Sequence, residues 1–268
     1  MKPIIEHLGL AMRVTALFIV FCAPCLRGQS AAAANLPRPS YLVPTAVPPD
    51  AREYLRALGT RLQVAGNERI TLIGTATDHS GTGTARLVYE LPGNVRLDRQ
   101  TAPAAPLVYV PGAGVSNAAS VAQQDLDVLE SLAADSHEAF LYSFTESLGH
   151  RLLGTRFRTD DGKTPNYQGP YYDIYEATGP SPAANNAVRQ KWYFFDSGTH
   201  LLVKTRYLVK RSGADVAIES QYSGWTTQNG QPYPAKIVRT ENGTAVFTFN
   251  AAQGAVGQSA KDGLFPGH

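Results

Sequence analysis

The chain has 268 residues, 43% of them hydrophobic and 17% charged, with a formal net charge of +2. That content can bury a sizeable core and excludes disorder as the default, while length alone allows one large domain or two small ones. A near-neutral balance without Lys/Arg clusters argues against nucleic acid as a partner, because counterion release needs concentrated positive charge.

Residues 1–34 read as an export signal. Lys2 and Arg13 flank a charge-poor start, and Val14 to Ala23 make an apolar run of ten residues. That is too short to span a bilayer, where about 20 residues are needed, and it suits a signal peptide. The small residues Gly28 to Ala34 follow, and cleavage is expected between Ser30 and Ala34. Cys22 and Cys25 leave with this segment, so no disulfide forms in the mature chain. Phe21 and Pro24 stand where a lipid-attachment signal needs small residues. Loss of Lys2, Arg13, Arg27 and Glu6 takes the 24 basic and 22 acidic residues to 21 of each. The expected product is neutral, monomeric and exported, either periplasmic or extracellular.

Residues 35–49 hold five prolines and read as an extended leader. Asp50 stands as an N-cap before Tyr54, Leu55, Leu58 and Leu62, which predicts a short amphipathic helix over about 51–58. From Ile70 the period changes to two. Ile70, Leu72, Gly74 and Ala76 alternate with threonines and Ile73, His79 to Gly83 turn the chain, and Ala85, Leu87, Tyr89 and Leu91 alternate again, which is a hairpin. A third strand is expected at about Val95 to Arg99. Leu126, Leu129, Leu132, Phe140, Phe144, Leu148 and Leu152 then recur three or four apart for the most part, predicting one or two helices within about 118–153.

The C-terminal half repeats strand and turn: Lys191 to Phe195, Leu201 to Lys210, Val216 to Thr226, Tyr233 to Thr240, and a last strand through Ala245, Phe247 and Phe249. Asn229-Gly230 and Asn242-Gly243 are strong hairpin signals, because both residues tolerate positive φ. Val203, Tyr207 and Val209 are expected to share one side, as are Val216, Ile218 and Tyr222, so that one face is apolar and the other wet. The central helices are the long amphipathic candidates to cover the apolar face.

Catalytic constellations are not evident. His79, His137, His150, His200 and His268 are scattered, without zinc-site spacing, so neither a metal nor a cofactor is expected. Gly112-Ala-Gly-Val-Ser116 lacks the second half of a nucleophile elbow. Asp125-Leu-Asp127 and Asp160-Asp161-Gly162 lack a full Ca²⁺-loop spacing. Asn242-Gly-Thr244 matches a glycosylation sequon, but a hairpin turn accounts for it fully. The aromatic group from Tyr167 to Phe195 is dense, and core packing is its ordinary use.

Several local features resemble the outer-membrane lipoprotein carriers of the Lol system and their secreted relatives. They are Leu58-Gly59 ending a short helix, the strand from Ile70 to Thr75, Leu91-Pro-Gly-Asn-Val-Arg-Leu97, the strand Trp192 to Leu202, and Gly230-Gln-Pro-Tyr-Pro-Ala-Lys236. The resemblance spans roughly 50–266 and is one of layout. It implies an α+β fold in which an incomplete antiparallel β-barrel of about 8–10 strands is lidded by helices, with residues 50–268 forming a single half-barrel domain. It also implies a hydrophobic ligand, an acyl chain or lipoprotein, and another envelope protein as a partner. Arg151 and Arg156 are the candidates for the arginine with which such carriers control their lid, and the helical insertion here is long. The cavity is expected between Phe140, Phe144 and Leu148 of the helices and Tyr89, Tyr207 and Phe249 of the sheet. The alternatives are an interaction module with a filled core, or a hydrolase using scattered acidic residues and histidines.

Overall fold

The structure is a computed structural model that describes residues 68–90, 93–100, 105–140, 150–158, 171–185, 187–229, 231–258 and 262–265, the stretch 150–158 by backbone only. These residues all lie in the compact unit Ala33–His268. The export signal, the proline-rich stretch and the helix expected over 51–58 lie outside the described residues.

Strands β1 (Glu68–Asp78) and β2 (Gly81–Glu90) form the expected hairpin, with Ile70 opposite Tyr89 and Leu72 opposite Leu87. At the turn, Asp78 Oδ1 accepts from Ser80 N at 2.8 Å, and Gly81 takes φ +117°. β3 (Asn94–Arg99), β4 (Leu107–Val110) and β5 (Gly114–Val115) continue the meander. A 3-10 turn at Ala118–Ser120 leads into helix α1 (Gln123–Ala133), and residues 137–140 are helical again.

The chain then returns to strands: β6 (His150–Arg158), β7 (Tyr171–Ser181), a 3-10 turn at Pro182–Ala184, β8 (Ala187–Asp196), β9 (Leu202–Arg211) and β10 (Ala214–Ser223). β11 (Thr226–Gln228) and β12 (Gln231–Tyr233) pair as a small ribbon, and β13 (Lys236–Glu241) and β14 (Thr244–Gln258) end the fold. Asn242 and Gly243, with φ 47° and 82°, make the left-handed hairpin turn that their identities require.

Twelve strands join into one antiparallel sheet in the order β5-β4-β3-β2-β1-β14-β13-β10-β9-β8-β7-β6. The first and last strands pair at its centre. β14 is 15 residues long and serves two neighbours, running from Glu241↔Thr244 against β13 to Glu68↔Gln258 against β1. β5 and β6 are the two edges, so the sheet is open and wider than expected. Among the described residues no helix is long and apolar enough to cross a membrane.

Two expectations need correction. The helices do not run to 153, since β6 already occupies His150 onward and Leu152 pairs with Tyr175. The spacing of Leu148 and Leu152 suits a helix, but strand pairing takes the second of them. Val203 also does not share a side with Tyr207. The β8–β9 register shifts between Phe194↔Lys204 and Phe195↔Leu202, which turns Leu202 into the main core while Val203 joins Tyr172, Ile174, Trp192 and Phe194 on the opposite face. Strands β7 and β8 are therefore apolar on both faces, and β9 adds Val203 to the outer one.

Outside the sheet, residues 262–265 strap the N-terminal strands. Phe265 packs on Val88 and Val108, Arg96 Nη1 donates to Leu264 O at 2.9 Å, and Arg69 bridges Glu90 and Asp262.

The central seam depends on a glycine. Gly74 lies at the β1–β14 register shift, where a Cβ would overlap the Asn250 carbonyl, and Gly254 lies under the Tyr233 ring. Gly74→Ala is expected to cost about 2 kcal/mol or more in urea unfolding, since backbone cannot yield as a side chain does. Gly257→Ala meets nothing within 4 Å and should stay within about 0.5 kcal/mol of the parent.

Candidate functional site

Helix α1 has no side-chain cap at Ala122, but Asp125 in its first turn suits the helix dipole. Its C-terminal end is closed by Ala134 N donating to Glu130 O at 2.8 Å. Ser136 then caps the next helical turn, its Oγ accepting from Ala139 N at 3.1 Å. These local contacts fix the turn 134–136 against the sheet.

The two flanks of α1 bind that sheet differently. On one flank Val128, Leu129, Leu132, Ala133 and Phe140 join the buried cluster that contains Leu87, Tyr89, Tyr175, Phe195, Phe247 and Phe249. The Phe140 ring lies 4.9 Å from that of Tyr193, 4.8 Å from Phe195 and 5.5 Å from Tyr175, centroid to centroid. Each such side chain contributes about 1.5–3 kcal/mol by leaving water, without a preferred direction.

The other flank is ionic. Glu130 and Asp135 are fully buried, and Arg189 Nη1 reaches both Glu130 oxygens at 3.0 and 2.8 Å. Lys191 Nζ, also fully buried, meets Glu130 Oε1 at 3.0 Å, pairs with Asp135, and lies 4.5 Å from the centre of the Tyr207 ring. Ser220 Oγ donates to Asp135 Oδ2 at 2.7 Å, and Tyr207 OH to the same oxygen at 3.3 Å. Burial by itself would push the Glu130 carboxyl up, but Lys191 and Arg189 together hold it below its ordinary value. Arg239, 1% exposed, approaches Glu241 at 3.3 Å and leaves Nε and Nη1 without a hydrogen-bond partner among the described residues.

Backbone carbonyls at the end of α1 are met from the sheet as well. Tyr222 OH donates to Ser131 O at 2.8 Å, Tyr193 OH to Ala134 O at 2.9 Å, and Thr205 Oγ1 to Asp135 O at 2.8 Å. A helix end leaves such carbonyls without intrahelical partners, so this is a fitted seat.

Three further features border the helix. At its start, Asp78, His79 and Asp125 bring possible ligand atoms within 4.8 Å of one another. The Arg99 guanidinium already stands between the two carboxylates, at 2.6 and 2.8 Å, and supplies the cation. An open groove of about 430 Å³ runs along Val115, Ala119, Leu126, Pro182 and Ala184. Beyond the end of α1, His137 is buried between the rings of Phe195 and Trp225, 5.8 Å from each, and its two nitrogens have no hydrogen-bond partner among the described residues. Burial lowers its pKa to about 4 and raises that of Glu138 to about 7.

Of the residues expected to line a cavity, Tyr89, Phe140 and Phe249 meet in the apolar cluster, while Tyr207 sits in the ionic seat beside Lys191. Phe144 and Leu148 lie outside the described residues. Arg151 and Arg156 are on β6, where side chains are not described. The buried charges were missed by the sequence reading. Their signal was parity: Lys191 shares a strand side with Tyr193 and Phe195, and Arg239 shares one with Ile237, so both point inward.

No protein-family model matches the chain, and no curated protein matches it. Among solved structures it is similar to a LolA superfamily protein from Nitrosomonas europaea, with 11% identity over 80% of this chain and 94% of that one and a TM-score of 0.47. It is also similar to a domain described as outer membrane lipoprotein-sorting from Vibrio parahaemolyticus, with 11% identity, 80% and 96% coverage and a TM-score of 0.43. A DUF1329 family protein from Desulfovibrio piger follows, with 12% identity, 78% and 93% coverage and a TM-score of 0.41. The first two belong to the group that the sequence resembles. Likeness at this level assigns neither ligand nor activity to this chain.

Two predictions follow the electrostatics. Lys191→Met leaves Asp135 buried without its cation and Glu130 with Arg189 alone, and denaturant unfolding is expected to show a loss of about 3–5 kcal/mol. The second concerns pH. Glu138 folds more readily protonated, so its contribution is complete below its ordinary pKa of 4.5 and lost as pH rises through about 7. His137 folds more readily neutral, so its contribution is complete above 6.5 and lost as pH falls through about 4. The two slopes oppose each other between those limits. Glu138→Gln removes the first, and its stability relative to the parent should rise by on the order of 3 kcal/mol between pH 4.5 and 7.

Proposed function

We propose that the protein is an exported, non-catalytic binding protein for a hydrophobic ligand, an acyl chain or acylated protein, held between the sheet and the helical segment. The observation that supports this reading is the unequal seating of α1. One flank is fixed by ion pairs and directed hydrogen bonds through Glu130 and Asp135, and the other joins the apolar cluster that includes Tyr89, Phe247 and Phe249.

Apolar surfaces can part and close on a chain of methylenes without stranding a polar group, whereas the ionic flank cannot. The ionic flank then acts as the pivot, and the ligand enters over Tyr89, Phe140 and Phe249. Phe144 and Leu148 extend the contact set on sequence grounds. Ten buried methylenes give on the order of 8 kcal/mol, near micromolar before ordering costs. No catalytic group is needed for such a task.

A second reading, an interaction module filled by its own side chains, is favoured by the close packing around Phe140, where the adjoining void at Ala133, Ala139 and Tyr193 is only about 10 Å³. Native mass spectrometry of the processed protein, recovered from the periplasm of an expression host, separates the two. The carrier reading expects co-purifying lipid, and about tenfold weaker acyl uptake in Phe140→Leu with the fold retained. A clean apo mass that takes up neither added fatty acid nor phospholipid would leave the interaction module in its place.

A further inference from the structure

His137 is 1% exposed, and neither Nδ1 nor Nε2 has a hydrogen-bond partner among the described residues. A neutral imidazole brings one donor and one acceptor, and burying both unmet is costly. The local fold does not ask for a histidine here. Ser136 caps the turn, and an apolar ring would suit the box of Phe195 and Trp225 better. Arg99 and Arg239 also carry unmet nitrogens, but each is anchored by at least one carboxylate.

The box is continuous with the apolar surface of the carrier reading. The Phe195 ring lies 5.8 Å from that of His137 and 4.8 Å from that of Phe140, tilted to both. The surroundings in sequence are acidic, Asp135 and Glu138, and the buried cations Lys191 and Arg189 are already paired with Glu130 and Asp135.

We infer that His137 is the polar contact for the bound ligand and that it selects an apolar chain bearing an uncharged hydrogen-bonding group, such as an ester or amide carbonyl, over one ending in a carboxylate. This rests on the carrier reading above. The imidazole N–H donates to the carbonyl oxygen, in a place where no water competes. A carboxylate there finds the buried cations Lys191 and Arg189 already engaged by Glu130 and Asp135, and apolar surroundings penalise its charge. Burial keeps the ring neutral, lowering its pKa to about 4, so it serves as a dipole and not as a counter-ion.

The test compares the processed protein with His137→Phe and His137→Gln, titrating each with methyl palmitate, palmitate and hexadecane delivered from cyclodextrin. Wild type is expected to bind the ester more tightly than the carboxylate. His137→Phe should lose about tenfold in ester affinity while hexadecane is unchanged, and it should melt no lower than wild type because an unmet polar group has gone. His137→Gln should keep most of the ester affinity, and the ester should shift the His137 ring nitrogens in ¹⁵N NMR of wild type. Equal ester affinity in wild type and His137→Phe, a parallel loss for ester and hexadecane, or a preference for palmitate would each overturn the inference while leaving the carrier reading in place. Failure of all three probes to bind wild type would overturn both.

Discussion

Asp135 holds the arrangement together. Its carboxylate takes Lys191 from β8, Tyr207 from β9 and Ser220 from β10, and its backbone carbonyl takes Thr205 from β9. One residue thus ties the turn after α1 to three adjacent strands. Taking a carboxylate out of water costs several kcal/mol, which only a complete set of donors offsets. Ionic and hydrogen-bonded contacts of this kind have direction, so they set where the helix sits. The apolar contacts beside them set how strongly it adheres.

This division of labour explains why the inner face is not uniform. Towards β1, β2 and β14 it carries Ile70, Leu72, Leu87, Tyr89, Phe247 and Phe249, whose contacts tolerate rearrangement. Towards β8, β9, β10 and β13 it also carries, among Tyr193, Phe195, Tyr222 and Ile237, the polar Lys191, Thr205, Ser220 and Arg239, whose contacts do not. A helix seated across such a boundary has one side that resists displacement and one that yields. The carrier reading depends on that asymmetry more than on any one cavity.

Much of the sheet was legible because its turns and periods are local. Asn242-Gly243 fixes its hairpin by positive φ, and β1 alternates cleanly because its outer face is wet, while on β2 Phe265 covers Val88. β7 was not legible, since Tyr172 and Ile174 pack on one face while Tyr175 and Ala177 pack on the other, leaving no period of two. The pairing of β1 with β14 was hidden for a different reason: it joins residues about as far apart as the domain allows, and no turn announces it. In the candidate site Tyr89, Phe140 and Phe249 were readable as apolar residues at inward positions. Tyr207 was readable as inward, but not as part of an ionic seat. Lys191 and Arg239 look like residues of a wet face unless strand parity is given more weight than residue type.

Polar atoms left unmet in an interior call for an account, because folding gains nothing from them. Arg99 holds two carboxylates and Arg239 one, so their unmet nitrogens are the leftover of a five-donor group placed among few acceptors. His137 is different, since its polar capacity is entirely unused and its neighbours are aromatic. Packing does not favour it there over phenylalanine, and the cap at Ser136 works without it. A residue that costs stability and touches the ring next to the apolar surface is understandable as one whose partner arrives from outside. Local disagreement with the rules of folding is expected where function is placed, and in this chain it falls beside Phe195, whose ring also meets Phe140.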